Sequence, residues 1–156
     1  YNSIFFDEKD FYKKIIYMST DPFFMEDSVK ENIKAGGNDW EKALNAKCVV
    51  NLWDELPCRI DTIINEGATN LSGGQKQLLA VSRALAKSDA CLIVMDEPNS
   101  SLDICAKKQL TELIQQLSQS KCIVVITHDT LLYNQLDYQF VLVDGELRNI
   151  TQAKEE

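Results

Sequence analysis

Two apolar runs constrain the fold of this chain more than any other feature. Cys91–Met95 and Cys122–Ile126 are unbroken apolar stretches of strand length, the pattern of strands buried on both faces. Between them, residues 104–118 place Leu110, Leu113, Ile114 and Leu117 at the i, i+3, i+4, i+7 spacing of an amphipathic helix. Strand, helix, strand at this distance implies a parallel pair joined by a right-handed crossover. A short helix around Thr130–Leu136 and a last strand at Phe140–Val143, ending at the Asp144-Gly145 turn, continue the pattern. The chain is therefore expected to be α/β, with a mainly parallel sheet.

The first half reads differently. Ile4–Phe6 and Ile15–Met18 are expected as short strands, and Asp21-Pro22 breaks the pattern. Ser28-Val29-Lys30-Glu31 has the form of a capping box, with Ser28 as N-cap and Glu31 reaching back. Residues 39–55 carry Trp40, Ala43, Leu44, Val50 and Trp53 at helical spacing, and Pro57 ends that region. Residues 60–70 read as an exposed loop. Ser72 to Lys87 reads as a helix entered through Gly73-Gly74, with Leu78, Val81 and Leu85 on one face. The helical stretch looks like a subdomain of its own. The division expected is a strand-rich start over 1–27, a helical subdomain over 28–88 and a core over 89–156, with a frayed tail from Thr151 to Glu156.

Composition excludes several classes. A net charge of −8 with a pI near 4.7 opposes binding to nucleic acid or to anionic lipid through a basic surface. The longest aliphatic stretches, Leu92–Met95 and Ile123–Ile126, fall far short of the roughly 20 residues that span a bilayer. The five cysteines form no C-x-x-C pair and there is one histidine, so a structural zinc site is not expected. Reduced structural thiols of a cytosolic protein are the expectation. The opening at Tyr1 rather than a methionine suggests residues upstream.

Three runs carry chemistry. In Leu71-Ser72-Gly73-Gly74-Gln75 the glycines admit an anion close to the backbone, and the following helix aims its free N–H groups and positive dipole end there. A plain turn with an N-cap would give the same letters. Leu92–Met95 runs into Asp96-Glu97 at the carboxyl end of a parallel strand, where α/β proteins bind ligands. An Asp there can hold Mg²⁺ and the next Glu can act as general base on a water; a solvated acidic turn is the plain alternative. Ile126-Thr127-His128-Asp129 ends the next strand in the sole histidine, either a sensor of a terminal phosphate or a surface residue at the start of a short helix.

In this order and spacing the three runs resemble the nucleotide-binding domain of ATP-binding cassette (ABC) transporters. Leu71–Gln75 matches the LSGGQ signature letter for letter, Leu92–Glu97 the Walker B strand with its catalytic glutamate, and Ser100-Ser101-Leu102-Asp103 the D-loop. His128 falls at the switch histidine. The resemblance implies a P-loop NTPase-like fold with an inserted helical subdomain, ATP and Mg²⁺ as ligands, and ATPase activity. It implies a second nucleotide-binding domain as partner, by default an identical chain, and a transmembrane domain. Ser72, Gly73, Gly74 and Gln75 would bind the γ-phosphate of the partner's ATP. Asp96 would organise Mg²⁺, Glu97 would polarise the attacking water, His128 would contact the γ-phosphate, and Ser101, Leu102 and Asp103 would communicate across the dimer. Glu55-Leu56-Pro57 and the Thr62–Gly67 segment resemble exporters, where a T-x-x-G-E-x-G loop touches the transmembrane domain through positions matching Thr62, Glu66 and Gly67. Asn65 replaces that loop's first glycine. Asp27–Ile33 resembles the exporter pattern "T-I-R-E-N-I". The expected setting is the cytoplasmic face of a membrane, as part of an export motor.

The chain departs from the family twice. No G-x-x-x-x-G-K-[ST] occurs in it, so the loop that cradles phosphates is expected upstream of Tyr1 or lost, and these residues alone are expected to be inactive. Thr20 stands where the family has the Q-loop glutamine and is too short to reach as far, which is expected to weaken coupling or metal sensing. Two other functions remain open: a partial cassette that completes a partner's ATP site without hydrolysing, and a soluble cassette ATPase.

Overall fold

The computed structural model describes residues 12–46, 49 and 53–151; the strand expected at Ile4–Phe6 and the end of the polar tail lie outside them. In order come β1 (Ile15–Met18), α1 (Val29–Lys34), α2 (Trp40–Leu44), single 3-10 turns at Trp53–Glu55, Arg59–Asp61 and Glu66–Ala68, and the long helix α3 (Gly73–Leu85). Then follow β2 (Leu92–Asp96), α4 (Ile104–Ser118), β3 (Cys122–Ile126), α5 (Thr130–Tyr133) and the hairpin of β4 (Phe140–Val143) and β5 (Glu146–Asn149).

The first three strands form a parallel sheet in the order β1-β2-β3, with Tyr17 opposite Val94 and Val94 opposite Val124. Because side chains alternate, the sheet has two unlike faces. Met18, Ile93 and Met95 are buried on one, in a core shared with Leu79 of α3 and with Leu110 and Ile114 of α4. Tyr17, Val124 and Ile126 stand exposed on the other. The expectation that Cys122–Ile126 is buried on both faces is thus corrected. Among the described residues β3 is an edge strand and helices cover one face only, so Cys122, Val124 and Ile126 are exposed. Among the described residues the hairpin pairs only with itself. Asp144 and Gly145 both take left-handed backbone, φ 50° and 81°, the type I′ geometry that Asp-Gly favours.

The helical layer is fixed by close approach and buried polar bonds. A Cβ on Gly36 would sit 2.2 Å from the Arg83 carbonyl oxygen, and one on Gly37 2.3 Å from that of Ala86. The loop thereby lies against the end of α3, where the Asp39 N–H donates to the Ala86 carbonyl at 3.0 Å. Asn32, fully buried, donates to the Met25 and Ser28 carbonyls and accepts from the Met25 N–H, pinning the chain ahead of α1. No helix among the described residues is long and apolar enough to cross a membrane.

Three local expectations change. Ser28 caps α1 through the Glu31 N–H, but the Glu31 carboxylate pairs with Lys34 at 2.6 Å, while Asp27 takes the Ser28 N–H. Of the helix expected over 39–55, the described residues hold the five-residue α2 and the 3-10 turn at Trp53–Glu55, while 47, 48 and 50–52, Val50 included, lie outside them. Asn45 ends α2 by turning its side-chain amide onto the Glu41 carbonyl at 2.8 Å, while its own N–H tightens to Lys42. The 60–70 segment is not wholly exposed: Thr62, Ile64 and Ala68 are buried, and Ile63 bridges to Ser28.

Candidate functional site

The carboxyl ends of β1, β2 and β3 bring Thr20, Asp96, Glu97, Thr127 and His128 together. β2 ends in Asp96, whose carboxylate receives the Tyr17 hydroxyl at 3.4 Å and whose carbonyl receives that of Thr20, also at 3.4 Å. Thr20 thus turns to the main chain beside the carboxylates. Glu97 follows at φ 48°, a left-handed conformation rare for a side chain of its size. Its N–H extends the ladder to the Ile126 carbonyl at 2.8 Å. This backbone turn aims the carboxylate across to the end of β3. There Oε1 accepts the His128 N–H at 3.0 Å and lies 2.7 Å from His128 Nδ1, while Thr127 donates to Oε2 at 3.4 Å. The His128 ring is 83% exposed and Glu97 21%, so the pair is open to solvent on the imidazole side.

Asp129 anchors the histidine's segment. It caps α5 through the Leu131 N–H and pairs with Lys107 of α4 at 2.8 Å. The Lys107 ammonium holds the Asp129 carboxyl below the usual carboxylate range.

The glycine-rich turn opens α3 as a complete capping box: Ser72 Oγ accepts the Gln75 N–H at 3.2 Å, and Gln75 Oε1 accepts the Ser72 N–H at 2.9 Å. These side chains were expected as donors to an anion. The box occupies the Ser72 N–H and the Gln75 carbonyl oxygen internally, because the two groups are one turn apart. The glycines meet a second need. A Cβ at Gly73 would lie 3.0 Å from Ser101 Oγ, and one at Gly74 3.0 Å from the Ser101 carbonyl. The turn is therefore packed onto the D-loop-like segment of its own chain. A cleft of about 200 Å³ beside it is lined by Thr20, Pro22, Gly73, Lys76, Gln77 and Ser101.

Other expected residues have plainer surroundings. Leu71 and Leu102 are buried in the core. Asp103 caps α4 through the Ala106 N–H at 2.8 Å. Thr62 is buried, its hydroxyl accepting the Cys58 N–H. Glu66 and Gly67 are exposed, and the Gly67 carbonyl receives Lys76 of α3 at 3.2 Å. Cys58, Cys91, Cys105 and Cys122 are free and exposed, so the expectation that Cys91 and Cys122 lie in strands buried on both faces is corrected for both. Sequence reasoning missed Gln77, a buried glutamine that joins α3 to the Glu97 turn. A polar residue between the apolar positions of α3 was the available signal.

A family model described as "ABC transporter" matches residues 3–100. The chain belongs to this family. ABC relatives include the lactococcin-G-processing and transport ATP-binding protein of Lactococcus lactis subsp. lactis, 34% identical over 139 residues, covering 85% of this chain and 20% of that protein. An ATP-dependent lipid A-core flippase of Ralstonia nicotianae is 31% identical over 147 residues, covering 89% of this chain and 25% of its own. The solved structure of a bacterial Atm1-family ABC exporter with ATP bound superposes with a TM-score of 0.81 at 22% identity, covering 88% of this chain and 25% of that one. The chain thus spans about a quarter or less of these proteins, and the fold is that of a P-loop NTPase-like ABC cassette.

Proposed function

We propose that this chain is part of the ATP-hydrolysing motor of an ABC exporter. The observation that carries the reading is the placement of Glu97: a carboxylate at the end of the central strand, held in a left-handed turn and bonded to His128 on the neighbouring strand. Such a carboxylate can orient and polarise a water, and the imidazole beside it can donate to a phosphate oxygen. Asp96 fits Mg²⁺, since this ion takes one or two carboxylates and fills its remaining positions with phosphate oxygens and water. When bound, the ion would neutralise phosphate charge. Ser72–Gln75 would meet the terminal phosphate of a nucleotide held by a second cassette, through the hydroxyl hydrogen of Ser72 and the backbone N–H groups at the start of α3. The second cassette is by default an identical chain.

The open face of the sheet would be covered by residues that bring the G-x-x-x-x-G-K-[ST] loop. Residues 28–88 would form the subdomain that passes motion to a transmembrane partner, through the exposed Glu66-Gly67 and the Thr20 loop. The cassette would then work at the cytoplasmic face of a membrane.

In a full-length transporter containing this cassette, Glu97→Gln is expected to lower ATP turnover by more than about 100-fold, the scale of losing a positioned general base, with nucleotide still bound. Turnover within a few-fold of the unsubstituted protein would remove Glu97 from the chemistry. The 156 residues alone are expected to show no turnover; activity in that sample that Glu97→Gln abolishes would mean a phosphate site lies within them.

A further inference from the structure

The glutamine that joins α3 to the catalytic turn has no part in the mechanism above. Gln77 lies in the second turn of α3, 6% exposed, with the whole side-chain amide engaged. Its Nε2 donates to the Glu97 carbonyl and stands 3.5 Å from Ser100 Oγ, and its Oε1 accepts the Ser101 N–H at 3.0 Å. A carbonyl can only accept and a peptide N–H can only donate, so these partners fix the orientation of the amide.

The partners matter because of the conformation they hold. A non-glycine residue in left-handed backbone persists only where its surroundings over-determine it. Glu97 is held on both sides: its N–H by the Ile126 carbonyl at 2.8 Å, its carbonyl by Gln77 and by the Ser100 N–H at 3.3 Å. Of these bonds, the one from Gln77 comes from a side chain of α3, whereas the other two come from the backbone of the sheet and of the turn. Without Gln77 the carbonyl keeps only the Ser100 N–H at 3.3 Å, so the peptide gains room to rotate and to carry the carboxylate away from the position it holds at the end of β3. The same amide holds Ser101, whose hydroxyl and carbonyl pack on Gly73 and Gly74. One side chain therefore fastens the phosphate-recognition turn and the catalytic turn of a single chain to each other.

We propose that Gln77 is a positioning residue for hydrolysis: its amide holds the Glu97 peptide so that the carboxylate faces the attacking water, and it ties that placement to the glycine-rich turn. This rests on the reading of Glu97 as the general base. The Gln77 amide is spent on groups of its own chain, so its removal is expected to slow the chemical step and to leave nucleotide affinity alone.

The test uses steady-state ATP turnover of the full-length transporter in lipid, with Gln77→Leu and Gln77→Glu. Gln77→Leu is expected to lower kcat about tenfold, with KM for Mg-ATP within twofold. Gln77→Glu is nearly isosteric; protonated, it offers one donor and one acceptor, and ionised it loses the donor and sets a charge against the Glu97 carbonyl. Its kcat relative to the unsubstituted protein is expected to rise as pH falls from 8 to 6, a rescue that lost packing would not give. A Gln77→Glu protein as active as the original at every pH, a pH-independent deficit, or a loss confined to KM would each overturn the proposal. If Gln77→Leu does not fold, the Gln77→Glu profile decides alone. An unsubstituted transporter without turnover, or one indifferent to Glu97→Gln, takes down the general-base reading and this inference with it; a failure of the Gln77 variants alone takes down only the inference.

Discussion

At Gly36 and Gly37 single atoms decide whether a side chain can be carried at all. At Gly36 the obstacle to a side chain is the backbone of Arg83, which cannot rotate away as the tip of a side chain could. Gly36→Ala is therefore expected to destabilise the chain by about 3 kcal/mol, the upper part of the usual cost of overpacking. Gly145 is a control of another kind: nothing lies within 4 Å of its Cβ position, but its φ of 81° strains any side chain. The cost of Gly145→Ala is about 1–2 kcal/mol from backbone strain alone. Urea midpoints of the purified variants compare the two, and a Gly36→Ala chain as stable as the unsubstituted one would mean that the 36–37 loop does not rest on α3. Glu97 shows the same physics with the opposite sign. Its strain is tolerated because the neighbouring bonds are numerous, and it leaves the carboxylate where no residue of the regular strand could put it.

At the scale of elements, ends matter more than middles. α3, α4 and α5 each open on a side chain that accepts a backbone N–H: Ser72, Asp103 and Asp129. Asp129 also takes Lys107, so the helix carrying Lys107 is tied to the strand end carrying His128. Because Lys107 depresses the Asp129 pKa, the bond adds stability above the unfolded carboxyl value near 3.9. That stability is lost as pH falls through the lower, folded value. Lys107→Met is expected to cost less than about 1 kcal/mol at pH 7, and the cost should fade once the pH falls below the lowered Asp129 value. A cost equal above and below that value, read from urea titrations, would assign the effect to packing of the lysine stem. Boundaries set by strong local signals were legible in the sequence: α4 at 104–118 and the strands Ile15–Met18, Cys122–Ile126 and Phe140–Val143 lie where periodicity and apolar runs put them. What was not legible depends on partners distant along the chain. β5 carries Glu146, Leu147, Arg148 and Asn149, a poor strand by composition, and it exists because the Asp-Gly turn returns it onto β4. Asn45 stopped α2 through a side-chain bond that no spacing reveals. The motif residues stood out by type, whereas Gln77 became visible only when its amide met the Glu97 carbonyl and the Ser101 N–H.

At the scale of the whole molecule the sheet is half dressed. Its inner face is packed by α3 and α4, and its outer face presents Tyr17, Val124 and Ile126 at 62%, 44% and 53% exposure. The separate hairpin adds Phe140, Leu142 and Leu147, all exposed. Large exposed apolar patches on soluble proteins are commonly interaction surfaces or aggregation liabilities, and the edge of β3, unpaired among the described residues, adds open backbone groups. The net charge of −8 opposes association but acts over the whole surface, while the apolar face acts on contact. The purified 156-residue chain is therefore expected to self-associate with rising concentration and to bind a naphthalene-sulfonate dye. Val124→Lys combined with Ile126→Lys should reduce both effects. Since both side chains already stand in solvent, the urea midpoint should move by no more than about 0.5 kcal/mol equivalent per site. Sedimentation and dye fluorescence on the two proteins check this. A monodisperse, dye-silent original would mean that the face is covered in solution. A double variant that loses several kcal/mol would mean that Val124 and Ile126 are packed, and the outer face of the sheet would then belong to the core.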